Sequence, residues 1–374
     1  MRIKWILLLF FFLYLGLVAE VKNQDNPRFG EGSVILEKIW SLEEIDEQVI
    51  GEAPMVMVRE DGYIYTFLRR HNINYLLDPQ GKLIRKFANR GEGPGEVKRQ
   101  MGYYSVGEHL IIGDTEKLIY FTREGEYVKS LRNNNFRNEP VFFLNERQIV
   151  TTSKVSLNAD DRKGYLRTKD LVTGEMKTIA NFDLFKRATV GNNRRRMVLM
   201  SESLTPVPVV GNDSSCIYYG MNHTYRIHVS GLSGNQVSVF SLDRPNKKVS
   251  LEEKRKRFSR TRSIPESARD QFIKNLPDEL THFVRIEVHQ KLLFIFPSYF
   301  NRKNEQQMDI FSKGGKYLYR TFVTLPKGQV FHGMVRMNPI IKDQYIYITA
   351  EDKEGEISFT KYKYQLPDLE NLKK

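Results

Sequence analysis

From about residue 54 onward, the chain alternates short runs of β-branched and aromatic residues with tight polar turns. One unit recurs: an alternating strand, a turn, two further strands, then a Gly turn and a fourth strand. The clearest copy spans residues 102–131, with its last turn at Arg123-Glu124-Gly125-Glu126. The copy before it, 54–87, turns at Asp78-Pro79-Gln80-Gly81, where Pro presets φ and Gly supplies the positive φ that closes a hairpin. Weaker copies run over 140–182, 207–242, 283–323 and 335–364. The period-2 alternation excludes a helical solenoid, and a Gly turn before each fourth strand favours a propeller over a two-sheet sandwich.

The last copy shows only three strands. Residues 33–40, Ser33 to Trp40, read as the missing fourth, so the N-terminal strand closes the last blade and buries the seam. The expectation is all-β: a six-bladed β-propeller of four-stranded antiparallel blades in one domain, residues 33–366. A helical insertion, 243–281, precedes blade 5, residues 20–32 form a linker and residues 367–374 a tail. Strand reversal places the crossovers between blades on one face of the disc, together with the middle turn of each blade.

The N-terminus has a different pattern. Arg2 and Lys4 precede an apolar run from Trp5 to Val18 that ends in Ala19. A positive flank, a short apolar core and a small residue make residues 1–19 a secretory signal peptide or, uncleaved, an N-terminal membrane anchor. The expected location is extracytoplasmic, periplasmic or secreted. The single cysteine, Cys216, has no partner for an internal disulfide and reads as a small core residue.

The net charge is +13, and the excess is concentrated. Residues 186–196 carry five positive and no negative side chains, and residues 244–262 carry nine and two. Arg194, Arg195, Arg196, Lys254, Arg255, Lys256 and Arg257 are therefore candidates for an anionic partner such as a phospholipid surface or acidic glycan. Ser250 is placed to cap a helix from Leu251 to Phe258, and Ser263 with Glu266 has capping-box spacing for a second. Nucleic acid is not an expected partner: neither a reading helix nor basic residues interleaved with exposed aromatics are visible.

Arg90-Gly91-Glu92-Gly93-Pro94-Gly95-Glu96 superficially resembles a phosphate loop. It lacks the Gly-Lys-Ser/Thr ending, and Pro94 removes a backbone donor. Gly91, Gly93, Pro94 and Gly95 read as a structural turn between blades, and Glu92 and Glu96 as candidate ligand residues. The histidines, His71, His109, His223, His228, His282, His289 and His332, show no zinc spacing, and there is no Gly-x-Ser-x-Gly elbow.

With Gly113-Asp114, Leu118-Ile119-Tyr120-Phe121, Arg123-Glu124-Gly125-Glu126-Tyr127, the segment 90–96 and the insertion before blade 5, the chain resembles exported bacterial six-bladed propellers related to NHL-repeat and TolB-like propellers. The resemblance implies a fold and an exported location. The expected function is a non-enzymatic binding or scaffold propeller that recognises a protein, peptide or glycan through the crossover face. The alternative is a metal-dependent hydrolase or lyase like the NHL-type lyases and lactonases. Its channel-bound Ca or Zn would be held by ligands from several blades, which spacing does not reveal. No other cofactor is expected.

Overall fold

In the computed structural model the described residues are 20–132, 141–152, 163–183, 189–190, 197–198, 204, 206–258, 270, 273–274, 276–289, 291–298, 304–333 and 338–366. Six antiparallel sheets follow one another along the chain. Blade 1 comprises Met55–Val58, Ile64–Leu68, Ile73–Leu77 and Leu83–Phe87. Blade 2 comprises Gln100–Val106, His109–Asp114, Lys117–Thr122 and Tyr127–Arg132, and blade 3 Val141–Phe143, Gln148–Thr152, Lys163–Asp170 and Met176–Asp183. Blade 4 contains Pro208–Asn212, Cys216–Met221, Arg226–Gly231 and Gln236–Asp243. Blade 5 contains Phe283–His289, Leu292–Pro297, Glu305–Ser312 and Tyr317–Thr324. In blade 6 the innermost strand is split into Val330–Phe331 and Ile340–Lys342, followed by Tyr345–Glu351 and Ile357–Gln365.

The alternation of side chains explains why second and third strands read as nearly continuous apolar runs. Leu110 and Ile112 pack with Tyr65, Leu76 and Phe87 of blade 1, whereas Ile111 between them packs with Phe143 and Ile149 of blade 3. Likewise Leu293 and Ile295 join blade 4, and Phe294 and Phe296 join blade 6. Each sheet is thus buried on both faces by its neighbours, and each fully buried aliphatic or aromatic side chain contributes about 1.5–3 kcal/mol. The apolar clusters bridge 1–2, 2–3, 3–4, 4–5, 5–6 and 6–1, so the ring is closed.

Closure works as the pattern predicts, with the strand at Ile35–Leu42 pairing antiparallel to Ile357–Gln365. The Trp40 indole N–H donates to Pro79 O (3.1 Å) in the Asp78-Pro79-Gln80-Gly81 turn, and Lys361 Nζ donates to the same oxygen (3.0 Å). Gly81 has φ +82°, and a Cβ there would stand 3.3 Å from the Trp40 ring. Blade 6 is therefore stapled to blade 1 across the seam.

Residues 20–32 are not a plain linker. Glu20–Gln24 runs parallel to the outer strand of blade 4, and Glu31–Ser33 runs parallel to that of blade 5. The chain forms a strap that adds a fifth strand to two blades before completing the sixth. With Val21 as its one large apolar residue, Glu20–Gln24 carries no strand signature of its own, and the pairing rests on main-chain bonds.

Candidate functional site

The crossover face is built by polar residues that end the second strand of a blade and hold the incoming crossover. Buried Asp114 accepts from the Lys98 N–H (2.9 Å) and the Arg99 N–H (3.2 Å). Asn222 accepts from the Val207 N–H (2.8 Å), and the Ser298 hydroxyl donates to Thr281 O.

The segment Gly91–Glu96 lies on this face, where it closes on itself. Glu96 accepts from the Gly93 N–H (2.8 Å), and a Cβ on Gly91 would fall 2.0 Å from its carboxylate. Gly95 has φ +73° and lies against the Tyr127 ring. Lys117 Nζ donates to Gly93 O (3.2 Å). Glu96 is thus spent on its own loop. Glu92 projects into solvent and pairs with Lys98 (2.7 Å), whose ammonium holds its carboxyl below the usual range.

Arg194, Arg195 and Arg196 lie outside the described residues, as do Ser263 and Glu266. The helix Leu251–Phe258 forms as read, with a reciprocal capping box: the Glu253 N–H donates to Ser250 Oγ (3.1 Å), and the Ser250 N–H to the Glu253 carboxylate (3.0 Å). Lys254, a candidate for an anionic partner, is instead 1% exposed. It donates to Leu276 O and Asp278, both at 2.6 Å, and so pins the helix to the last part of the insertion, ahead of blade 5. Arg255 pairs with Asp270 (3.4 Å). Lys256 and Arg257 share the helix, but their side chains lie outside the described set.

The densest polar assembly lies at the seam of blades 4 and 5, and no sequence motif marked it. Asp309, on the third strand of blade 5, is fully buried. It accepts from Arg244 (2.6 and 3.0 Å), from the hydroxyls of Tyr225 and Tyr317 (each 2.8 Å) and from Gln307 (3.0 Å). Burial pushes its carboxyl up, but the Arg244 charge and the hydrogen bonds outweigh it and hold the group below the ordinary range. Arg244 also donates to Asp25 of the strap (2.8 Å), and Arg320 joins Asp25 and Glu31. Toward the crossover face, the His282 ring lies tilted against Tyr225 (centroids 5.5 Å apart), and burial with the nearby Arg244 charge lowers its pKa to about 4. Every carboxylate oxygen of Asp309 already has donors, which suits a clasp between strap and blades. Among the described residues, no three His, Cys, Asp or Glu side chains gather as a metal-holding group.

Exposed apolar side chains are concentrated elsewhere. Among the described residues, Ile35 and Ile39 on the outer strand of blade 6, Leu83 and Ile84 on that of blade 1, and Tyr127, Val128 and Leu131 on that of blade 2 face solvent. Blade 5 exposes no large apolar side chain among its described residues, and blade 4 exposes only Val237. Blade 3 exposes Met176 on its outer strand and Val172 in the turn before it, so among the described residues the exposed apolar side chains are most numerous on the rim of blades 6, 1 and 2, where the strap does not run.

No family model and no curated protein matches the chain. Two solved structures share the fold. One, a protein of Bacteroides fragilis NCTC 9343 assigned as exported, is 11% identical with a TM-score of 0.54, covering 93% of this chain and 100% of its own. The other, a member of the DUF4221 family from Bacteroides vulgatus ATCC 8482, is 12% identical with a TM-score of 0.56, covering 90% and 99%. Among the described residues, no helix is long and apolar enough to cross a membrane.

Proposed function

We propose that this protein is an extracytoplasmic binding propeller without catalytic chemistry of its own, and that it engages a protein or peptide partner. The observation that carries the reading is the exposed apolar sector on the outer strands of blades 6, 1 and 2. Monomeric surfaces scatter single apolar residues, whereas several gathered on the rigid outer strands of neighbouring blades mark an interaction surface. The crossover face takes a supporting role, because Glu96, Asp114 and Lys254 are folded into the architecture there. A glycan would call for several exposed aromatic faces, and Tyr127 is the one aromatic in the exposed group. The exported assignment of the Bacteroides fragilis structure is consistent with action outside the cytoplasm.

A site-specific photocrosslinker tests this reading. Placed at Ile84 or Val128 in producing cells, it is expected to give the same discrete adduct, with none from Val172 on blade 3. No adduct from either rim site, together with stoichiometric tightly held Ca or Zn in the purified protein, would overturn the proposal in favour of a metal-dependent enzyme.

A further inference from the structure

Two blades show what their outer edges accept. On blades 4 and 5 the occupant is the strap, added through main-chain pairing. Its side chains follow a charge rule: acidic residues on or just after the added strands meet arginines of the blades and of the crossover between them. Glu20 pairs with Arg226 (3.4 Å), Asp25 with Arg244 (2.7 Å) and Arg320, and Glu31 with Arg320.

Blade 2 offers the same kind of edge. Its sheet ends at Tyr127–Arg132, and no described strand pairs with the outer side of that strand. Tyr127, Val128 and Leu131 are 43%, 41% and 38% exposed, and Lys129 and Arg132 on the same strand are exposed as well. An unpaired row of backbone donors and acceptors is a template for another strand. The two cations repel the same edge of a second copy and attract a carboxylate-bearing strand, as Arg226 and Arg320 do on the occupied blades. The exposed apolar side chains supply contact area that a merely protected edge would lack.

We propose that the outer edge of blade 2 accepts an extended segment of a partner protein, with acidic and apolar side chains on both of its faces, as a fifth strand, because Lys129 and Arg132 lie on opposite faces of the edge strand. This rests on the binding-propeller reading and gives it a partner chemistry.

The probe is a fluorescein-labelled octapeptide in which pairs of Glu or Asp alternate with pairs of Val or Ile, so that both strand faces carry acids, and the control replaces every acid with Lys. Anisotropy is expected to show saturable binding of the acidic peptide alone, weakening about tenfold between 0.05 and 0.5 M NaCl as the charges are screened. Hydrogen exchange on the wild-type protein is expected to slow at residues 127–132 when peptide is added, and to stay unchanged at 236–243 and 317–324. The Lys129→Glu, Arg132→Glu double variant, with an unaltered melting curve, is expected to lose binding. Absence of binding overturns the inference. So does binding that protects only the crossover loops or another blade, although that result leaves the binding-propeller reading standing. Concentration-dependent protection of 127–132 without peptide also overturns it, because a second copy is then the occupant.

Discussion

Replacing Asp309 with alanine should cost about 3–5 kcal/mol of stability, the usual penalty for stranding one partner of a buried ion pair. The geometry explains why. The substitution leaves the Arg244 guanidinium, two tyrosine hydroxyls and the Gln307 amide facing an empty acceptor position in a fully buried site. An unfolding entropy of roughly 2 cal/mol/K per residue over a chain of this size gives about 0.7 kcal/mol/K, so the melting temperature should fall by ~4–7 °C. Arg244→Met should cost a similar amount, because it leaves the Asp309 carboxylate buried without its counter-charge. The pair Arg244→Met, Asp309→Leu should lose clearly less than the two singles together, with a coupling of about 2 kcal/mol or more. Urea unfolding followed by circular dichroism gives all four corners of the cycle. Limited proteolysis in residues 20–33 reports whether the strap loosens with Asp25's partner gone. If both singles stay within about 1 kcal/mol of the parent, or their effects simply add, the clasp argument fails.

Three further outcomes follow from the same packing logic. Asp309 has a depressed carboxyl, and Asp213, where burial is outweighed by Lys313 and the Ser215 and Cys216 amides, titrates at about 2. Such groups stabilise above the unfolded value near ~4 and lose that contribution as pH falls through the folded one, so stability should drop between pH 4 and 2, less steeply in Asp213→Asn. His282, lowered to about 4 from 6.5, adds an earlier loss over that interval because the unfolded chain protonates first, and His282→Phe should remove it in pH-dependent melts. Gly211→Ala places a Cβ 2.4 Å from Ile286 O where the inner strands of blades 4 and 5 meet. It should cost ~3 kcal/mol in urea titrations, against ~1 for Gly174→Ala, which has φ +75° but open space. At the seam, Trp40→Ala should cost ~3 kcal/mol and Lys361→Met less than ~1, because burial lowers the lysine's pKa and Trp40 still satisfies Pro79 O.

The ring was legible because its signals are local. The Asp78-Pro79-Gln80-Gly81 turn and the run His109 to Ile112 each state their element within a few residues, and residues 33–40 are read from the fourth strand that the last copy lacks. The strap was not legible, because Glu20–Gln24 is held by backbone pairing and by arginines some two hundred positions away. Lys254 misled for a related reason. A helix of charged residues reads as solvated, and only the fold brings Leu276 O and Asp278 to its ammonium. The Asp309 clasp escaped notice because its members come from the strap, blade 4, blade 5 and the crossover between those blades, and Asp309 itself sits between Met308 and Ile310 like any strand residue. Glu96 reads in the sequence as a candidate ligand residue, whereas in the fold the glycines around it make room for its own carboxylate.

The strap also sets a timetable for biosynthesis. Residues 20–42 are made well before the strands they dock on, Gln236–Asp243, Tyr317–Thr324 and Ile357–Gln365. The segment must wait until those strands have emerged, and those pairings carry the long loop-closure cost of very distant contacts. A product that stops short of Ile357–Gln365 therefore lacks the partner of Ile35–Leu42 and leaves the ring open. Closing the ring doubles as a check that the sixth blade has been made.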